Sequence, residues 1–185
     1  MSLKVALFGG AFDPPHVGHL LVASYVIATE AIDELWLMPA HKHAFEKKMA
    51  PFSERVEMCE ILASQFSGRV KVSRVESEVG GEGYTIDTLR FLKGRHPSHA
   101  FRLVIGTDIL GETDAWKDFE GVERLAPPIV VAREGYPHPR AEGRPAMPAV
   151  SSTEVRRRLH AGEDVSHLVP REVRAYIEAR GLYRG

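Results

Sequence analysis

The amino-acid sequence predicts an α/β fold: a doubly wound parallel sheet of five to six strands, followed by C-terminal helices. Three observations carry this expectation. Short, continuous apolar runs recur along the chain, as in strands buried on both faces. Amphipathic segments lie between them, so strand alternates with helix, the pattern of βαβ units with right-handed crossovers. The 185 residues, 44% hydrophobic and 26% charged, have the balance of one globular domain over residues 1–185.

Each element follows from local pattern. Val5, Ala6, Leu7 and Phe8 make the first strand, and residues 18–30, rich in Leu, Ala, Val and Ile, the first helix. The second strand is 35–38. A helix over 53–66 places Val56, Ile61 and Leu62 near one face and glutamates on the other. The third strand is 70–72, and Ile86, Leu89 and Leu92 recur at helical spacing over 84–93. Strands four and five are 103–105 and 129–132. Residues 135–150 hold four prolines and two glycines and read as a long surface loop. Helices over 152–160 and 170–180 are each followed by glycine, Gly162 and Gly181, and Pro170 suits a first helical position. The whole belongs to the Rossmann-like class, in which ligands sit beyond the C-terminal strand ends.

Bulk properties exclude several functions. A formal net charge of -1 offers no global basic surface for nucleic acid. No stretch approaches the length of apolar sequence that spans a membrane, and the N-terminus lacks a secretion signal. The one cysteine, Cys59, has no internal partner, so a cytoplasmic location is expected. Within its amphipathic helix Cys59 reads as a small core residue.

Two stretches need more than structure to explain them. "GGAFDPPHVGH", residues 9–19, ends the first strand and opens the first helix, where α/β sheets bind phosphate. Gly9 and Gly10 are expected to let backbone approach a ligand and to take positive φ. Pro14 and Pro15 stiffen the loop, and Gly18 leaves the helix start uncovered. His16 and His19, three apart, project from one side of the junction and offer hydrogen bonds to phosphate oxygens. An isolated H-x-x-H is more often structural, and the stretch matches neither GxGxxG, nor a P-loop, nor a zinc pattern, so no protein metal site is expected. The second stretch, "SSTEVRRRL", residues 151–159, contains a capping box, Ser151 to Glu154. Capping does not require Ser152 and Thr153 beside it, nor Arg156 one turn in, which together suit an anion.

Other candidates sit at the ligand end of the sheet. Lys42 and His41 follow strand two. Tyr84 and Thr85 open a helix, where Thr85 would also serve as a simple cap. "GTDILGETDAW" follows strand four: Asp108 could accept from a sugar hydroxyl, and Trp116 could stack on a ring or belong to the core. Arg133 ends strand five. His43, His96, His99, His138, His160 and His167 read as surface residues.

With these residues in place, the chain resembles the bacterial nicotinate mononucleotide adenylyltransferases, in the nucleotidyltransferase superfamily marked by an HxGH motif. "GGAFDPPHVGH" resembles the family's GGxFDPxHxGH, and "SSTEVR" its SSTxxR, with Arg156 as the motif arginine. "HK" after strand two, "YTIDTL", "GTD" with a later tryptophan, and "VVAREGY" follow in the family's order. Two departures are Glu134, where proline is common, and the short form of "MPAHKHAFEKKMAPF".

The resemblance implies transfer of AMP from ATP to nicotinate mononucleotide, giving deamido-NAD and pyrophosphate, with Mg2+ carried by the ATP phosphates. It implies catalytic roles for His16, His19, Lys42 and Arg156. ATP would contact Gly9, Gly10, Phe12, His16, His19, Gly106, Asp108, Arg133, Ser152, Thr153 and Arg156. The mononucleotide would contact Lys42, Tyr84, Thr85 and Trp116. Nicotinamide mononucleotide, phosphopantetheine, a cytidylyl transfer or a non-catalytic nucleotide-binding role stay open as alternatives. Family members are often dimers or larger, so a homo-oligomer is also open.

Overall fold

The structure is a computed structural model that describes residues 2–41, 49–80 and 82–184. Five parallel strands form one sheet: β1 (Lys4–Gly10), β2 (Glu34–Pro39), β3 (Val70–Val72), β4 (Ala100–Gly106) and β5 (Pro128–Val131), in the order β3-β2-β1-β4-β5. The expected five to six strands resolve to five among the described residues. Strand order reverses between β1 and β4, so their C-terminal ends diverge and leave a crevice there.

The helices are α1 (Val17–Thr29), α2 (Phe52–Ala63), α3 (Val75–Val79), α4 (Thr85–Arg95), α5 (Thr107–Leu110), α6 (Phe119–Leu125), α7 (Ser152–His160) and α8 (Arg171–Arg180), with short 3₁₀ turns at Ser64–Phe66, Thr113–Ala115 and Pro139–Ala141. Strand periodicity divides them into two layers. Ala6, Leu35, Leu37, Val104 and Ile129 pack with Val22, Val26, Met58, Cys59, Leu62, Val155, Val173 and Ile177 of α1, α2, α7 and α8. Val5, Leu7, Met38, Phe101 and Leu103 pack on the other face with Val75, Ile86, Leu89, Leu92 and Val122 of α3, α4 and α6.

Cys59 is buried, as its helix pattern predicts, and burial holds its thiol well above the ordinary range. Two local expectations are revised. Gly9 and Gly10 keep ordinary strand φ, and the left-handed residue of the first loop is Phe12, φ 48. Pro170 occupies the N-cap rather than the first helical position. Residues 135–150 fold back on β5: Met147 N–H donates to Ala132 O (2.8 Å), Glu134 N–H to Met147 O (3.0 Å), and Ala141 and Met147 are buried. No helix among the described residues is long and apolar enough to cross a membrane.

Candidate active site

A cleft of about 480 Å³ opens at the switch point. Its floor is the ends of β1 and β4; one wall is the start of α1 and the other is α4 with Trp116. Gly9, Gly10, His16, His19, Thr85, Gly106, Asp108, Trp116 and Arg133, all predicted from sequence, line it together.

At the first motif, β1 ends on glycines whose bare backbone faces the cleft. His16 caps α1, a thirteen-residue helix with no carboxylate in its first turn, so the positive end of the helix is unneutralised. The His16 and His19 rings stack with centroids 3.8 Å apart. The His16 backbone N–H donates to His19 Nδ1 at 3.1 Å, which leaves Nε2 as the proton-bearing nitrogen of a neutral His19. Phe12 is fully buried beneath this pair, its ring 4.6 Å from that of His19; it supports the histidine and does not line the cleft. Gly18 is required because a Cβ there would lie 2.9 Å from His16 Cε1.

Electrostatics keep both rings neutral. Burial first, then the Arg133 charge, lowers His16 to about 4. Burial, His16 and Arg133 hold His19 well below 6.5. His16 Nδ1, Asp108 Oδ1 and Arg133 Nε are buried without hydrogen-bond partners among the described residues. Buried polar groups are rarely left unpaired, so orphans of this kind in a cleft mark a place for a polar ligand. Gly106 is where the second and third meet: a Cβ there would stand 2.2 Å from Asp108 Oδ1 and 3.2 Å from Arg133 Cδ. Arg133 N–H is anchored by Thr107 Oγ1 (2.9 Å), and its Nε lies 3.5 Å from Asp108 Oδ2.

The second motif docks onto the first. Ser151 caps α7 by accepting from Glu154 N–H at 3.2 Å, but the Glu154 carboxylate is taken by Arg157 and Arg158, so only half of the capping box forms. Ser152 Oγ donates to Pro14 O (3.0 Å). Arg156 Nη1 donates to Asp13 O (2.6 Å) and lies 3.4 Å from Asp13 Oδ2, while Nη2 donates to Thr153 Oγ1 (3.3 Å). Ser152, Thr153 and Arg156 thus adjoin the loop that carries His16 and are not among the residues lining the cleft.

At the other end, Thr85 is the first residue of α4 and not its cap; Tyr84 is the N-cap, exposed, with the Lys117 ammonium 4.5 Å above its ring, and it lies outside the cleft lining. Trp116 packs against Phe119 (5.7 Å) and also lines the cleft. Lys42 and His43 lie outside the described residues; His41 is exposed, its ring against Phe52.

Sequence reasoning missed four residues. Glu76 lines this end, accepts from Thr88 Oγ1 (2.8 Å), and is pushed upward in pKa by burial. Asp13, Arg55 and Tyr183 form a network under the first loop. Arg55, 1% exposed, donates to Ala11 O (2.8 Å) and Ala50 O (3.0 Å). Periodicity gave no sign of it, since an arginine in an amphipathic helix reads as solvated. Among the described residues no group of three or more His, Cys, Asp or Glu could hold a metal ion.

A family profile described as Cytidylyltransferase-like matches residues 7–158. A Myxococcus xanthus protein named "Probable nicotinate-nucleotide adenylyltransferase" is 48% identical over 98% of this chain and 95% of its own. A Thermus thermophilus protein of the same name is 38% identical over 98% of this chain and 100% of its own. A Plasmodium falciparum nicotinic acid mononucleotide adenylyltransferase complexed with NaAD superposes with a TM-score of 0.81, covering 97% of each chain at 19% identity, a likeness of fold. With the first motif at the switch point, the second docked against its loop, and relatives spanning its length, the chain belongs to the cytidylyltransferase-like family, on its nicotinate-nucleotide adenylyltransferase branch.

Proposed function

We propose that residues 1–185 act as one nucleotidyltransferase domain that moves AMP from ATP to nicotinate mononucleotide, giving deamido-NAD and pyrophosphate. The observation that carries this reading is the pair of neutral, stacked imidazoles at the open end of α1, with His16 Nδ1 unpartnered, in a cleft whose far end holds Thr85 and Trp116. The relatives' names supply the acceptor.

In the reaction, an oxygen of the mononucleotide phosphate bonds to the α-phosphorus of ATP. The bond from that phosphorus to the bridging oxygen breaks, and its electrons leave with pyrophosphate. A phosphate monoester has its second pKa near about 6, so the attacking group is anionic without a general base. The protein's work is positioning and charge stabilisation. His19 donates from Nε2 to the α-phosphate. His16 and the Gly9–Gly10 backbone hold the phosphate chain. Ser152, Thr153 and Arg156 receive the leaving pyrophosphate, with Lys42 adding charge. Asp108 accepts from a ribose hydroxyl, Arg133 balances it, and Thr85 and Trp116 bind the pyridine ring beside Tyr84. Mg2+ travels on the ATP phosphates and neutralises part of their charge.

The test is pyrophosphate release from ATP with nicotinate mononucleotide, nicotinamide mononucleotide and phosphopantetheine in turn. Nicotinate mononucleotide should give the largest kcat/KM. A larger value with another acceptor would reassign the substrate, and release without any acceptor would mean hydrolysis.

A further inference from the structure

We propose that Tyr183, in the C-terminal tail, is a positioning residue for the phosphate machinery, acting through Asp13 to hold Arg156; the inference rests on the reading of Arg156 as a pyrophosphate ligand. The tail reaches this place by two left-handed residues in close succession. Gly181 (φ 63) ends α8, with Leu182 N–H returning to Ile177 O (3.0 Å), and Tyr183 itself takes φ 61. A bulky aromatic residue rarely adopts that conformation, so something must compensate it. The compensation is the phenol, which donates to Asp13 Oδ1 at 2.8 Å.

Asp13 is 1% exposed and is the centre of the arrangement. Oδ1 accepts from Tyr183 and from Ala50 N–H (3.1 Å), Oδ2 faces Arg156 Nη1 (3.4 Å), and the Asp13 carbonyl accepts from the same Nη1 (2.6 Å). Arg55 adds a second cation, hydrogen-bonded to the Ala11 and Ala50 carbonyls on either side. A buried carboxylate needs its lone pairs filled, and each donor also fixes its rotation. With Oδ1 pinned by two donors, Oδ2 is left to face Arg156. Without the phenol, Asp13 Oδ1 keeps the Ala50 N–H alone, so the carboxylate edge facing Arg156 is less firmly fixed, while the Asp13 carbonyl and Thr153 Oγ1 still hold the guanidinium more loosely in place. Burial and the Asp13 charge hold the Tyr183 phenol well above its ordinary range, so it stays a donor. None of these groups touches the pyridine end of the cleft.

The experiment is a double-mutant cycle of Tyr183→Phe and Arg156→Ala, read as kcat and as KM for ATP and for the mononucleotide separately, with thermal unfolding in parallel. Tyr183→Phe should lower kcat/KM for ATP about tenfold, the scale of a slightly misplaced charged donor, and leave KM for the mononucleotide unchanged. In the Arg156→Ala background it should cost less than about twofold, because coupled residues are non-additive. Asp13→Asn, which keeps the side-chain shape and loses the charge, should show the same ATP-selective loss. A Tyr183→Phe protein with a lower Tm and wild-type kinetics overturns the inference, as does a loss that adds fully to that of Arg156→Ala. A silent Arg156→Ala is a different result: it removes the pyrophosphate reading of that arginine, and the inference falls with it.

Discussion

His19 Nδ1 accepts the backbone N–H of His16 at 3.1 Å while the two rings stack 3.8 Å apart, so the same contact that caps α1 fixes which nitrogen of His19 bears the proton. A neutral donor aimed at an anion needs no prior protonation, and it is set in place before substrate arrives. Helix capping and the tautomer of His19 are joined in one hydrogen bond.

Replacing His19 by alanine should lower turnover about 100- to 1,000-fold, the scale for loss of one preorganised donor. Circular dichroism should show an unchanged fold. Turnover near that of the unaltered protein would remove His19 from the reaction.

Acid stability should report on His16. Its folded-state pKa lies at about 4, below the unfolded 6.5, so the unfolded chain takes up the proton first as pH falls. Stability tied to the neutral ring is therefore present above pH 6.5 and is lost progressively down to pH 4, by about 3 kcal/mol at most. Urea titrations across that window should show a steep acid limb that is flatter in His16→Asn, which removes the titrating ring and leaves the backbone N–H that His19 Nδ1 accepts. Parallel limbs in the two proteins would contradict this.

Gly18→Ala should separate stability from activity. Alanine in a helix is worth up to about 1 kcal/mol over glycine, which offsets part of the cost of crowding a buried site, so Tm should fall only slightly. The new Cβ would stand 2.9 Å from His16 Cε1 and 3.0 Å from Nδ1, so the ring must shift. Turnover should fall about tenfold or more, the cost of a small displacement at a positioned group. Unchanged turnover would show that His16 tolerates the shift.

Trp116→Ala should raise KM for the mononucleotide about tenfold, within the usual range for losing one stacked base, and leave KM for ATP nearly unchanged. Equal effects on both substrates would assign Trp116 to the Phe119 packing alone.

Much of this was legible in the chain because buried strands and amphipathic helices announce themselves by period. The five strands and the helices α1, α2, α4, α7 and α8 fall where the apolar pattern puts them. Helices α3, α5 and α6, of five, four and seven residues, are too short to show a period. Arg55 and Glu76 were invisible for another reason: a charged residue, whether in an amphipathic helix like α2 or a short one like α3, reads as solvent-facing until its burial is known.

By itself the sequence determined the sheet, the end of the sheet where the cleft opens, and the two motifs proposed to bind phosphate, because these follow from periodicity and local turn chemistry. Only the tertiary structure decided that Arg156 and Tyr183 meet at Asp13, that Phe12 lies beneath His19 instead of in the cleft, and that both imidazoles are neutral. Those outcomes depend on burial and on contacts between residues as many as 170 positions apart, quantities that no local stretch of chain encodes.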